Sequence, residues 1–108
     1  MADKPIIDLR IYTIRPRAMP EYLNLFEELA LPVTQKHLGA PLGYYVSQIG
    51  PLNQVVHLWA FESLADMERR TAAVYADPAF AKYLTATAGL VVAQEDRIVR
   101  RVDFKSLS

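Results

Sequence analysis

The spacing of hydrophobic residues predicts a strand followed by an amphipathic helix in the first part of the chain. Hydrophobic and polar residues alternate over residues 6–14, which indicates a strand. One face of this strand carries Ile7, Leu9 and Ile11, and the other carries Asp8, Arg10 and Tyr12. From Met19 the apolar residues recur every three or four positions, as in a helix that ends near Gly39. The ring of Pro32 opposes the carbonyl of Glu28, so we expect a kink or restart there.

The second part of the chain predicts a hairpin, two helices and a last strand. Strands over residues 42–49 and 54–61 flank a four-residue turn at 50–53, and this register places Tyr44 opposite Trp59 and Val46 opposite His57. Ser63 and Asp77-Pro78 are typical of helix starts, which predicts helices from Ser63 to about 75 and over 78–88. A strand over residues 90–99 follows. The order β-α-β-β-α-α-β is that of the ferredoxin-like, split βαβ class of α+β folds, with a four-stranded antiparallel sheet.

The third predicted strand is apolar on both faces, although helices cover only one face of such a sheet. Val56, Leu58 and Ala60 alternate with Val55, His57, Trp59 and Phe61. A face with Trp59 and Phe61 would form an apolar patch of the size that marks an interface. We therefore expect a homodimer in which two sheets pack face to face as a dimeric α+β barrel, with Trp59 and Phe61 in the contact.

A group of polar and aromatic residues falls on one sheet face in this register. It consists of Asp8, Arg10, Tyr12, Tyr44, His57 and Trp59. As a small-molecule pocket, it would use His57 as a catalytic base or hydrogen-bond partner, Arg10 for an anionic group, and the three aromatic residues Tyr12, Tyr44 and Trp59 for stacking. As a dimer core, it would instead pair Asp8 with Arg10 and leave His57 as a structural histidine. Both interpretations remain open at this point.

Composition excludes several classes of protein. The 108 residues carry 12 basic and 12 acidic side chains and no cysteine, which indicates one domain, with residues 1–5 and 102–108 as tails. Zero formal charge disfavours a nucleic-acid binder, and the absence of cysteine excludes thiol chemistry. No metal-ligand spacing, phosphate loop, leader or membrane span is evident, so we expect no metal, no cofactor and a cytoplasmic location. Haem remains a lesser alternative, with His37 or His57 as its ligand.

The chain also resembles the NIPSNAP family. The segments that carry the resemblance are LRIYTIRP, MPEYLNLFEELALPV, GYYVSQIGPLNQVVHLWAFESLADMERR, ADPAF and VVAQEDRIV, of which GPLNQVVHLWAF is the most specific. The resemblance implies a ferredoxin-like dimeric α+β barrel without a settled activity. Met67 stands where the family tends to have arginine, and Phe80 where it tends to have tryptophan, so a site that depends on either is in doubt here.

Two functions follow as hypotheses. The first is a homodimeric binding protein for a small hydrophobic or aromatic ligand, or a protein-interaction module. The second is a cofactor-independent monooxygenase or isomerase of the dimeric α+β barrel superfamily, which would act on a small aromatic compound with His57 as base. The second rests on likeness of fold, and a fold does not fix a function.

Overall fold

The computed structural model describes residues 4–107, and four of its segments form one antiparallel sheet. The strands are β1 (Ile6–Ile14), β2 (Gly43–Val46), β3 (Gln54–Phe61) and β4 (Val91–Arg100). Their order across the sheet is β2-β3-β1-β4. All three neighbouring pairs are antiparallel. This arrangement confirms the four-stranded α+β fold that the hydrophobic spacing predicts.

The first helical region contains a wide turn where the sequence predicts a kink. Helices α1 (Met19–Leu25) and α2 (Leu31–Leu38) flank a π-helical segment at Phe26–Ala30. The N–H of Leu31 donates to the carbonyl of Phe26, five residues earlier, immediately before Pro32. A proline has no N–H to continue an α-helical ladder, and the extra residue of the π turn accommodates this interruption. Gly39 ends α2 with a φ of 83°, which a glycine adopts without strain.

Both predicted helix starts in the second half of the chain are present. Helix α3 (Leu64–Ala76) begins after Ser63, whose hydroxyl accepts a hydrogen bond from the N–H of Asp66 at 3.0 Å. Helix α4 (Pro78–Ala86) begins after Asp77, whose carboxylate accepts from the N–H of Ala79 at 3.0 Å. These side chains satisfy backbone donors that lack a partner in the first helical turn. A short 3₁₀ turn at Lys105–Leu107 follows β4.

The predicted register of the β2–β3 hairpin is wrong by two residues. Tyr44 lies opposite His57 rather than Trp59. The N–H of Ser47 donates to the carbonyl of Gln54 at 2.9 Å, so the loop spans residues 48–53 instead of 50–53. Gly50 and Asn53 both have positive φ, and the loop is longer than the tight turn that their composition predicts. Because a shift of two residues preserves the alternation of a strand, every side chain keeps its predicted face.

The prediction that the face with Trp59 and Phe61 is the outer one is also wrong. Trp59 is 3% exposed and Phe61 1%, because the helices pack over this face. Aromatic and aliphatic side chains fill the space between the two layers, including Tyr22, Val33, Val74, Phe80 and Tyr83. The uncovered face is the aliphatic one. None of the helices in residues 4–107 has the length and apolarity needed to cross a membrane.

Candidate functional site

The polar and aromatic cluster lies on the covered face, between the sheet and the helices. In the β1–β3 register Asp8 lies opposite Trp59, and Arg10 lies opposite His57. Tyr12 occupies the next position on the same face of β1, two residues beyond Arg10. The alternation of two adjacent central strands therefore brings five of the six predicted cluster residues together. Tyr44 joins them from β2, where it lies directly opposite His57.

Arg10 connects three of its neighbours. Its Nε donates to Asp8 Oδ2 at 2.9 Å, and its Nη1 donates to the hydroxyl of Tyr12 at 3.2 Å. Its Nη2 lies 3.7 Å from Oδ2 of Asp96 on β4. The guanidinium is thus engaged by two carboxylates and a phenol. An anionic ligand would have to displace or outcompete these partners to reach it.

Asp8 is a buried carboxylate whose hydrogen bonding is incomplete. Its side chain is 2% exposed. Oδ2 accepts from Arg10, whereas Oδ1 has no hydrogen-bond partner among the described residues. Burial, together with the neighbouring Asp96 carboxyl, raises the pKa of Asp8 to about 6. An unsatisfied acceptor of this kind is costly to bury.

His57 is an uncharged imidazole in an aromatic environment. Its ring lies 5.1 Å from the ring of Tyr12, 4.8 Å from that of Phe26 and 4.9 Å from that of Tyr44, centre to centre. Burial, and secondarily the charge of Arg10, lowers its pKa to about 4, so the ring is neutral near pH 7. Within residues 4–107 its side chain makes ring contacts but no hydrogen bond. Its nitrogens thus remain available to a ligand.

A cavity of about 40 Å³ lies above these residues. This volume holds a few atoms, at roughly 10–15 Å³ for one water molecule. Its polar lining is Asp8, Arg10, Tyr12, Thr34, His57 and Thr71, and its apolar walls include Trp59, Phe61, Val74, Phe80 and Tyr83. The cavity therefore combines a polar floor with aromatic walls, which is the usual composition of a ligand pocket.

The cavity shares its outer wall with two more open clefts. One, of about 190 Å³, is lined by Arg10, Tyr12, Tyr75 and Asp96 among others. The second, of about 130 Å³, lies between β4 and α4, and Tyr12 and Tyr75 line it as well. Tyr75 is 58% exposed. Tyr12 and Tyr75 thus line the cavity and both clefts, and a ligand larger than the cavity would extend past them.

A further groove of about 230 Å³ lies against His57 and Phe26 and includes Tyr44 in its lining. The hydroxyl of Tyr44 is buried without a hydrogen-bond partner among the described residues. Burial raises the pKa of this hydroxyl to about 12. Tyr44 does not line the cavity that holds the rest of the cluster; it contacts the far side of His57, which therefore borders both spaces.

Several lining residues come from the helices, which alternation within strands does not reveal. Phe26 stands in the π-helical segment and contacts the rings of His57, Tyr44 and Tyr83. Tyr83 shares a hydrogen bond of 2.8 Å with the hydroxyl of Tyr22 beneath it. In the sequence, the apolar repeat that starts at Met19 includes Phe26, and Pro32 marks the irregular turn, but neither predicts the contact of Phe26 with His57.

The second histidine lies outside the cavity. His37 Nε2 lies 2.9 Å from Oδ2 of Asp77, which joins the end of α2 to the start of α4. That hydrogen bond lowers the pKa of Asp77. Arg70 on α3 donates to the backbone carbonyl of His37 at 3.2 Å, so three helices meet there. In the part of the chain that the structure describes, no cluster of His, Asp or Glu has the composition of a metal site.

The family follows from comparison with known proteins. The NIPSNAP family model matches residues 7–106. The chain belongs to the NIPSNAP family. Protein NipSnap homolog 2 of Danio rerio is 33% identical over 94 residues, which are 87% of this chain and 32% of that protein. The chain thus spans about a third of the length of this curated NIPSNAP relative.

Solved structures of other NIPSNAP proteins share the fold. A NIPSNAP family protein of unknown function from Agrobacterium tumefaciens is 33% identical with a TM-score of 0.89, and the match covers 100% of this chain and 97% of that one. A provisionally named antibiotic biosynthesis monooxygenase from Bacteroides thetaiotaomicron is 21% identical, with a TM-score of 0.62 over 95% of this chain and 92% of that one. The second likeness concerns the fold alone.

The two departures from the family pattern occupy different environments. Phe80 is 8% exposed, lines the cavity and packs edge-on against Tyr75 at 5.2 Å between ring centres. A larger indole at this position would intrude on the cavity or displace Tyr75. Met67 is half-buried on α3 and is not part of the cavity lining.

Proposed function

We propose that the protein binds a small organic molecule in the cavity between sheet and helices, with the ligand body in the adjoining clefts. The observation that carries this proposal is the buried Asp8 carboxylate, which lines a cavity with aromatic walls and whose Oδ1 has no hydrogen-bond partner among residues 4–107. A polar group left without a partner in an apolar interior costs free energy, and a ligand donor would recover it. The same space is bordered by Arg10, Tyr12, His57 and Trp59. Tyr44 packs against the side of the His57 ring that faces away from the cavity.

The homodimer is part of this proposal, with the uncovered sheet face as its contact. Half-buried aliphatic side chains cover this face on two strands, β1 and β3. They are Ile7, Leu9, Ile11, Val56, Leu58 and Ala60. On β4, Arg97 and Glu95 pair at 2.6 Å and cancel each other's charge. A contiguous apolar face without net charge can pack against the same face of a second protomer, because the two faces do not repel each other.

Trp59 supplies a direct test of ligand binding. It is the single tryptophan of the chain and lines the cavity at 3% exposure, so its fluorescence reports on the site itself. Cyclohexanol, which does not absorb near 280 nm, serves as a neutral probe at millimolar concentration. We expect a saturable change in Trp59 emission. No change up to the solubility limit of the probe would contradict the proposal.

A matched pair of variants on α3 locates the binding. Thr71 is half-buried and lines the cavity, whereas the next residue, Ala72, is exposed. Thr71→Leu adds side-chain volume inside the cavity, so it should abolish the fluorescence response. Ala72→Leu adds a leucine to the same helix outside the cavity, and it should leave the response unchanged. Equal responses in the two variants would place the probe elsewhere.

A second candidate function is proton transfer with His57 as base, as in a cofactor-independent isomerase or monooxygenase. The observation that favours it is the neutral imidazole, whose nitrogens are free of hydrogen bonds in the described part of the chain. A pKa of about 4 makes this ring a weak base, so only an acidic substrate proton would be removed at a useful rate. The test is incorporation of solvent deuterium into 2-indanone, which should disappear in His57→Gln. Equal incorporation in both proteins would exclude His57.

A further inference from the structure

We propose that the ligand is a small organic cation, an amine bound in its ammonium form, with Asp8 as the acceptor of its N–H groups. This inference rests on the proposed binding function and names the ligand class of the same site. Three kinds of observation support it: the balance of charge around the cavity, the unsatisfied carboxylate oxygen and the aromatic walls.

The charged groups at the site do not balance. Two carboxylates, Asp8 and Asp96, lie on either side of a single guanidinium, that of Arg10. His57 is neutral and adds no positive charge. The phenols of Tyr12 from β1, Tyr75 from α3 and Tyr83 from α4 also line the cavity or its outer wall. Glu95, which lines the 190 Å³ cleft, is paired with Arg97 at 2.6 Å, so this pair adds no net charge. With both carboxylates ionised, the site carries one excess negative charge, which a bound cation would neutralise.

The position of Arg10 determines which oxygen remains for the ligand. Its Nε occupies Oδ2 of Asp8 at 2.9 Å and leaves Oδ1 buried without a donor among residues 4–107. An ammonium group supplies N–H donors and the missing charge at once, and such charge-assisted hydrogen bonds are about twice as strong as neutral ones. A ligand carboxylate would add a third negative charge beside Asp8 and Asp96, and it is therefore disfavoured.

The walls of the cavity are suited to a cation. Trp59, Phe61 and Phe80 line it together with Tyr12 and Tyr83. Aromatic ring faces attract cations, by roughly 0.5–1 kcal/mol at exposed sites and about 2 kcal/mol when the cation is desolvated. The small volume of the cavity admits an ammonium head group, while the 190 Å³ cleft beyond Tyr12 and Tyr75 has room for its substituent.

Three probes that share one ring test this inference: cyclohexylammonium, cyclohexanol and cyclohexanecarboxylate, each titrated against Trp59 fluorescence at pH 8. We expect the ammonium probe to bind at least about tenfold more tightly than the alcohol, and the carboxylate to bind weakest. If the alcohol binds as tightly as the ammonium probe, or the carboxylate binds tightest, the inference is overturned while the binding function stands. If none of the three binds, both are overturned.

A variant and a pH series assign the preference to Asp8. Asp8→Asn keeps the shape of the side chain but removes its charge, so it should reduce the ammonium affinity at least about tenfold and change the alcohol affinity little. Glu68→Gln, an exposed position on α3, is the matched control and should change neither. In the unsubstituted protein the ammonium affinity should fall between pH 8 and pH 5, as Asp8 takes up a proton beside Arg10, Asp96 and His57. An ammonium affinity that is constant over this range would overturn the role of Asp8.

Discussion

The two faces of the sheet depart in different ways from the usual distribution of polar and apolar residues. The covered face places a carboxylate and an imidazole, Asp8 and His57, among residues that are almost fully buried. The opposite face leaves aliphatic side chains such as Leu58 partly exposed. Both faces are built from the same strands, and adjacent residues of β1 and β3 alternate between them.

This difference leads us to propose a separate role for each face. Buried polar groups cost stability unless they are satisfied, and the proposed ligand supplies a physical reason for their presence on the covered face. Partly exposed aliphatic residues add less to the stability of a single chain than buried ones, so their concentration on the opposite face favours association. In this proposal, each strand carries residues of a binding site on one face and residues of a dimer interface on the other.

The largest effect is expected from truncating the covered face. Phe61 is 1% exposed, and Phe61→Ala should lower the free energy of unfolding by roughly 3–5 kcal/mol, through lost burial and the void that remains. Urea unfolding followed by Trp59 fluorescence measures it. Leu52→Ala in the exposed β2–β3 loop should stay within about 0.5 kcal/mol. A loss below about 1 kcal/mol for Phe61→Ala would show that this face is not the interior.

The next effect concerns association through the uncovered face. Leu58→Glu would place a charge at the centre of the proposed contact, where its desolvation costs several kcal/mol. We expect the dimer dissociation constant to rise at least about 100-fold, which is about 2.8 kcal/mol. Sedimentation velocity measures this change, and circular dichroism checks that the protomer remains folded.

The same substitution in the exposed loop, Leu52→Glu, is the control for Leu58→Glu and should leave the dimer intact. If the unsubstituted protein is a monomer at micromolar concentration, the uncovered face is not a dimer contact.

A third effect is a pH dependence that originates on the covered face. The folded chain raises the pKa of Asp8 from 3.8 to about 6, so it holds this proton more tightly than the unfolded chain. The resulting stabilisation is complete below pH 4 and is lost as the pH rises through 6, by on the order of 2 kcal/mol. Asp8→Asn should remove this slope from the stability profile, as measured by urea unfolding between pH 4 and 7.

His57 changes the free energy of unfolding in the opposite direction over an overlapping pH range. Its lowered pKa stabilises the fold above pH 6.5, and this contribution is lost as the pH falls toward 4. The informative quantity is therefore the difference between Asp8→Asn and the unsubstituted protein, not either profile alone. If the two profiles are parallel, the Asp8 carboxyl has no raised pKa.

The smallest effect distinguishes two buried phenols on the covered side. The Tyr44 hydroxyl has no hydrogen-bond partner in the described residues, so Tyr44→Phe should change the free energy of unfolding by less than about 0.5 kcal/mol or stabilise slightly. The Tyr22 hydroxyl is bonded to Tyr83 at 2.8 Å, so Tyr22→Phe should cost about 1 kcal/mol. Equal costs in urea unfolding would indicate that Tyr44 has a hydrogen-bond partner in solution.

Alternation along the strands was enough to predict which residues share a face. Asp8 and Arg10 stand two apart on one strand, and their contact follows from that spacing. The assignment of residues to the two faces of the sheet was also correct despite the two-residue error in the hairpin register, because an even shift preserves alternation. The loop length could not be predicted, since Gly50 and Asn53 are compatible with several turns.

The covered face itself could not be identified from β3, which is apolar on both sides. Which face is covered depends on how the helices pack against the sheet. The positions of Phe26 and Tyr83 in the site depend on the same packing. The polar residues of β1 did not decide the matter either, because Asp8 and Arg10 are typical of an exposed face and yet their side chains are only 2% and 23% exposed. Function, rather than folding, is the physical reason we propose for that exception.

The π-helical segment determines how far α1 is rotated about the helix axis relative to α2. One residue turns an α-helix by about 100°, so deleting one residue from Phe26–Ala30 would rotate α1 by that angle relative to α2. Tyr22 would then turn away from Tyr83, and the ring that now contacts His57 would face a different direction. The extra residue thus acts as a spacer that aligns two otherwise independent helical surfaces on one cavity. Family members of equal helix length but without this spacer would present a different wall to the same strand residues.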